Sequence, residues 1–248
     1  MSSQTDLSRI SVADFAERFR GEMVPLSNTF AYFSALPLSE EEVKEYLEEP
    51  IGALPPAIRK ALPKTQVLLV PDLEKANGKT GEVVSVEAPP DNRLAWSARL
   101  ASPDGNTIVL PTKALELGDY HYQFYYCIAE LMGDAWSAEA KSKYRGALRE
   151  ELNGRVHGEV DDRAWRLKQT LMRRQTNLRR ETKGFQEYAT QSFVDTLALY
   201  LHGICCDIDV ETGPRQLPSR YLRRRLLLLE ELYPPPENYS VFPEAAGQ

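Results

Sequence analysis

Few side chains in this 248-residue chain stand at the spacings that catalysis or metal binding requires. His202, Cys205 and Cys206, followed by Asp207 and Asp209, bring ligand-type residues close in sequence. Adjacent cysteines point in different directions, however, and no second pair of ligands follows at a zinc-site spacing, so the group implies no metal. Asn77-Gly78-Lys79-Thr80 has the last residues of a phosphate loop, but position 73, where that loop needs glycine, is Leu73, and the segment reads as a turn. His121 and His157 are isolated, each a surface or core histidine rather than a base. No serine or cysteine sits in a nucleophile elbow. One carboxylate, Glu130, stands in the helical segment Ala129-Glu130-Leu131-Met132-Gly133. Facing the interior it needs a basic or hydrogen-bonding partner, because an unpaired buried carboxylate is costly; facing solvent it needs none. None of these patterns implies a cofactor.

Charge is the second source of possible chemistry. The net charge of -6 and pI of about 5.3 argue against the whole protein being a nucleic-acid binder. Between Arg163 and Lys183, however, eight basic residues face one acid, Glu181, so this segment carries +7 and the remainder -13. Arg163, Arg166, Lys168, Arg173, Arg174, Arg179 and Arg180 are the candidate binding residues, and Trp165 offers a stacking surface. On a helical wheel Leu167, Leu171 and Leu178 share one side and the cations spread around the rest. A solvated helix exterior is the plain reading, an acidic partner protein the next, and nucleic acid the third. A second cluster, Arg220, Arg223, Arg224 and Arg225, is of a kind to pair with the acidic stretch Glu40 to Glu49.

The elements that must position these groups are mostly helical. Val12, Phe15 and Phe19 recur at helical spacing after a capping Ser11, and Ser39 with Glu42 forms a reciprocal capping signature. Pro50, Pro55, Pro56 and Pro63 break helix continuation. Thr65–Val70 reads as a buried strand, residues 81–87 alternate, and 93–111 read as a hairpin. Beyond about residue 114 the pattern is helical: Tyr120, Phe124, Cys127, Ile128 and Leu131 form one stripe, and Phe185, Tyr188, Ala189, Phe193, Leu197 and Leu201 another. A last helix is expected from about Ser219 to Leu232, ended by Pro234. Three cysteines make a disulfide framework implausible and fit a reducing compartment, the cytoplasm by default. The N-terminus lacks a secretory pattern and no apolar run is long enough to span a bilayer, so no membrane association is expected. The expected fold class is α+β: an N-terminal helical region over residues 1–62, an α+β domain with a small central sheet over 63–236, and an extended tail over 237–248.

The order of a small sheet, a long helix, a charged intermediate region, a second long helix and a closing helix is the layout of compact zinc metallopeptidases. Ile108-Val109-Leu110-Pro111, followed by the helix from Asp119 to Gly133, resembles the strand and active-site helix of the zincins, with Ala129 to Gly133 standing in place of HExxH. The stretch from Gln191 to Leu201 resembles the glutamate helix of the lethal-factor-like and minimal gluzincin peptidases, and Leu217 to Tyr221 and Leu229 to Pro234 look like the ends of those domains. The likeness covers roughly residues 105 to 236. It implies a zincin-like domain in which the two histidine ligands have become Ala129 and Gly133 and the third ligand Gln191, while the general-base position, Glu130, is kept. Alanine and glycine offer no donor atom and an amide is a poor zinc ligand, so the resemblance implies a pseudopeptidase without metal. The expected function is then a non-catalytic binding or regulatory protein that engages a protein partner. The alternatives are a metal-dependent peptidase with unorthodox ligands drawn from His121, Glu130, Glu187 and Asp195, and a nucleic-acid-associated factor working through residues 163–183.

Overall fold

The computed structural model describes residues 9–76, 81–102, 105–173, 180–206 and 215–241. The expected turn at Asn77–Thr80, together with Arg174, Leu178, Arg179, Asp207 and Asp209, lies outside the described residues. The fold class is α+β, with helices and a mixed sheet. Among the described residues no helix is long and apolar enough to cross a membrane. The chain divides into two compact units, Met1–Gly52 with Leu62–Cys127, and Ala53–Ala61 with Ile128–Gln248.

The first unit holds the strands. The N-terminal segment, read from sequence as helical, contributes β1 (Ile10–Ser11), α1 (Val12–Arg18), β2 (Val24–Pro25) and β3 (Phe30–Ser34) before the short helices α2 (Glu40–Val43) and α3 (Glu49–Gly52). The helix α4 (Pro56–Ala61) belongs to the second unit. Next come β4 (Thr65–Val70), β5 (Asp72–Lys75), β6 (Glu82–Ser85), β7 (Ala98–Ser102) and β8 (Gly105–Pro111). A five-stranded sheet has the order β2-β3-β4-β8-β7, with β3, β4 and β8 parallel and both edges antiparallel; β1, β6 and β5 form a second, antiparallel sheet. The parallel strands β4 and β8 bury Val67 to Val70 and Ile108 to Leu110 without alternation, as strands covered on both faces do. Val12 and Phe15 of α1 pack into a core with Leu68, Val70, Leu73, Val84 and Val109. Phe19 stacks on Phe33 at 4.3 Å between ring centres.

The expected capping box is present: Glu42 N–H donates to Ser39 Oγ at 3.2 Å and Ser39 N–H to Glu42 Oε2 at 2.7 Å. Between α2 and α3 the chain makes a π-helical turn over Lys44–Glu48. Pro50 has no N–H to offer the carbonyl of Tyr46 four residues back, and the Tyr120 hydroxyl donates to that carbonyl instead, at 2.9 Å. Tyr120 opens the long helix α5 (Leu117–Asp134), whose Tyr125 hydroxyl donates to the Pro50 carbonyl at 3.1 Å. His121 Nε2 lies 2.8 Å from the Glu45 carbonyl. That carbonyl can only accept, so His121 is a buried structural donor at this nitrogen.

The second unit is helical. It contains the end of α5, then α6 (Ala138–Asn153), α7 (Asp162–Arg173), α8 (Lys183–Cys205) and α9 (Ser219–Leu232). Phe185, Tyr188, Ala189, Phe193, Leu197 and Leu201, the stripe read from sequence, are all buried, and so are Ser192, Asp195 and Thr196 on other sides of the same helix. α8 is therefore a central helix wrapped on most of its surface.

Candidate functional site

A polar knot lies inside the helical unit. Arg225 of α9 is fully buried and forks onto two carboxylates. It gives Nε to Glu151 Oε1 at 3.0 Å and Nη2 to Glu151 Oε2 at 2.5 Å, Nη1 to Glu159 Oε2 at 2.7 Å and Nη2 to Glu159 Oε1 at 3.0 Å, with Nη1 also 2.8 Å from Ser192 Oγ. Lys168 of α7 donates to Glu159 at 2.9 Å and to the Gly158 carbonyl at 2.8 Å, and the Tyr188 hydroxyl donates to Glu159 at 2.5 Å. Two cations and two carboxylates balance, as buried charges must. Burial alone raises the Glu159 carboxyl, but Arg225 and then Lys168 beside it bring it down to about 2. Gly158 is fixed by backbone geometry: its φ is +81° and a Cβ there would lie 2.0 Å from the Gln216 carbonyl.

This knot bears on two sequence readings. Lys168, grouped with the basic binding face, is buried and spent on Glu159. Of the cluster at Arg220 to Arg225, Arg224 pairs with Glu150 and Arg225 with Glu151 and Glu159. The physical role of the knot is to tie α6, the loop before α7, α7, α8 and α9 together, which fixes the walls of the groove beside it.

That groove has a volume of about 780 Å³ and is bounded by the end of α5 at Gly133 and Asp134, by Trp136, and by α6, α7 and α8. Lys141, Arg145, Arg163, Arg166 and Lys183 line it, against the carboxylates Asp134 and Glu187. Arg166 pairs with Asp162 at 2.6 Å and Lys183 with Glu187 at 3.8 Å. Lys141 and Arg163 form no ion pair among the described residues. Trp136 is buried at the groove's base, with Lys141 Nζ 5.6 Å and Arg145 Cζ 5.5 Å from its ring centre.

No family model, no curated protein and no solved structure matches this chain.

The positions singled out by the peptidase resemblance fall in and behind this groove. Ala129 is fully buried and Glu130 half-buried. Gly133 lines the groove and packs on α8 so closely that a Cβ would sit 2.7 Å from Val194 Cγ2. Gln191 lines the opposite wall and donates Nε2 to Asp195 Oδ1 at 2.7 Å. Asp195 is buried, and its Oδ2 has no partner among the described residues. Burial, then the charge of Asp161, pushes its carboxyl up to about 8, so it is protonated at neutral pH.

Among the described residues no cluster of three metal-ligating side chains includes Glu130, Glu187 or Asp195. Glu187 is exposed and Asp195 interior, and their eight-residue separation on α8 places them about 12 Å apart along the axis. The unorthodox ligand set is thus not assembled at these positions. His157 is a surface histidine. Of the basic run, Arg163 and Arg166 reach the groove, and Arg173 and Arg180 are exposed. Trp165, read as a stacking surface, already has the Arg215 guanidinium over its ring at 4.7 Å. Sequence reasoning missed Trp136, Lys141 and Arg145; a helix start at Ser137 followed by cations one turn apart was the available signal.

Proposed function

We propose that this protein is a non-catalytic binding or regulatory protein, on a frame resembling the zincins, that holds an acidic segment of a partner protein in the basic groove of its helical unit. One observation carries the reading: at the wall where the resemblance puts catalytic ligands stand a packed glycine and an amide, while five cations line the groove around them, two of which, Lys141 and Arg163, form no ion pair among the described residues. Such a surface offers charge complementarity without a nucleophile, a metal donor set or an activated base.

A protein segment suits the groove better than a nucleic acid. Base stacking needs open aromatic faces, and here Trp136 is buried and Trp165 is covered by Arg215. Lys168, one of the cations expected to meet phosphates, is withdrawn into the interior. The three cysteines are not joined in a disulfide, which supports a reducing compartment, the cytoplasm in our reading.

Fluorescence anisotropy with a labelled polyglutamate peptide tests this. The reading expects saturable binding at low salt that weakens as ionic strength rises and the Debye length shrinks from about 30 to about 8 Å. It also expects loss of binding in the double variant Lys141→Glu, Arg163→Glu. No binding at low salt, or binding indifferent to the two charge reversals, contradicts it.

A further inference from the structure

Arg145 lines the groove, and its neighbour Arg149 follows one turn later on α6. The two converge on one carboxylate: Arg145 Nη1 lies 2.7 Å from Glu181 Oε2, and Arg149 Nη2 donates to Glu181 Oε1. Each guanidinium is laid on an aromatic face, Arg145 on Trp136 at 5.5 Å and Arg149 on Phe185 at 4.7 Å. Stacking of this kind fixes the plane of a guanidinium and aims its edge donors at whatever anion stands in front of it. The anion standing there is Glu181, the single acid of the basic run, just before Thr182 caps α8. Its side chain remains 43% exposed, whereas that of Arg145 is only 14% exposed. Arg145 Nε, buried, has no acceptor among the described residues.

Two preorganised arginines, a partly exposed carboxylate held between them and an unspent buried donor on Arg145 describe a carboxylate-reading subsite whose occupant is supplied in cis. We propose that Glu181 is an internal stand-in for the ligand, and that an Asp or Glu side chain of the partner's acidic segment takes its place on Arg145 and Arg149. This inference rests on the reading of the groove as a partner-holding surface. An ion pair as open to water as that of Glu181 is weak, so exchange is feasible. The incoming segment also meets Lys141 and Arg163, which Glu181 does not neutralise, and a planar carboxylate keeps the forked geometry that an isolated point charge would not. Glu181 then sets a threshold: a single stray carboxylate gains nothing by replacing it, and a run of them does.

The test compares polyglutamate binding by the full chain and by three variants at low salt. Glu181→Gln removes the carboxylate that Arg145 and Arg149 share and is expected to bind about fivefold more tightly. Glu187→Gln removes one negative charge that lines the groove and leaves Glu181 on Arg145 and Arg149, and is expected to gain less than half of that. Glu181→Asp keeps the net charge but cannot span both guanidinium groups, and is expected to bind more tightly than the parent. Arg145→Gln is expected to weaken binding in the Glu181→Gln background. If Glu181→Gln gains no more than Glu187→Gln, or Glu181→Asp gains nothing, the stand-in role is overturned, even where the parent binds and the groove reading survives. Should Glu181→Gln fail to fold, by its circular dichroism spectrum, the charge-neutral Glu181→Asp decides alone. Absence of peptide binding by the parent overturns the groove reading itself.

Discussion

Arg225 and Glu159 meet inside the helical unit through two side-by-side contacts, Nη1 2.7 Å from Oε2 and Nη2 3.0 Å from Oε1. Both residues are buried, so neither charge has water to fall back on. Replacing Arg225 with methionine leaves Glu151 and Glu159 as uncompensated buried carboxylates, at an expected cost of about 3–5 kcal/mol. Urea unfolding measures it. Adding Glu159→Gln to Arg225→Met recovers part of the loss; a variant as stable as the parent would show that the knot does not hold the helices.

The same pair fixes how the protein responds to acid. Glu159 has its carboxyl lowered from 4.5 to about 2, so the folded state holds it ionised where the unfolded chain has taken up a proton. Its contribution is complete above about pH 4.5 and is lost as the pH falls toward 2, amounting to about 3 kcal/mol. Unfolding free energies of the parent should fall across that interval more steeply than those of Glu159→Gln.

Asp195 acts in the opposite direction. Its carboxyl is raised from 3.8 to about 8, so above pH 3.8 the unfolded chain releases a proton that the folded protein keeps. Stability therefore declines as the pH rises from about 4 to about 8. Asp195→Asn keeps an acceptor for Gln191 and removes the titration, and should be more stable than the parent by about 2–5 kcal/mol at pH 8 and by much less at pH 5. Equal stabilities at pH 8 would contradict the protonated state of this carboxyl.

Restoring the peptidase ligands should not restore a peptidase. Ala129 is enclosed, and the Cβ position of Gly133 is already contested by Val194. The double variant Ala129→His, Gly133→His is expected to lose at least about 1–3 kcal/mol to overpacking and to take up no stoichiometric zinc. The parent's unfolding midpoint should be unmoved by a chelator. Stoichiometric zinc in the purified parent, removable with loss of stability, would overturn the non-catalytic reading.

Local signals were legible where they repeat within a few residues. The capping pair Ser39 and Glu42, the buried stripe from Phe185 to Leu201, the helix Ser219–Leu232 and the hairpin of β7 with β8 all stand where periodicity and capping chemistry put them. The strand β3 was not legible, because its defining partner, Thr65–Leu69, lies more than thirty residues away and its five residues carry no alternation. Charge was the least legible property. Lys168 and Arg166 look alike in sequence, yet one is buried on Glu159 and the other is exposed on α7, because only long-range packing determines which side of a helix is enclosed. For the same reason the basic run pointed toward the groove at Arg163 and Arg166 but could not name Lys141 and Arg145, which arrive from another helix.

Amide hydrogen exchange of the full chain, with and without saturating polyglutamate peptide, tests the central claim most directly. If the groove holds an acidic segment, exchange should slow around Gly133 to Arg145, at the start of α7 near Arg163 and along the first turns of α8, and should remain unchanged in the strands of the first unit. Slowing confined to the first unit, or no change around the groove under conditions where the peptide is bound, would contradict it.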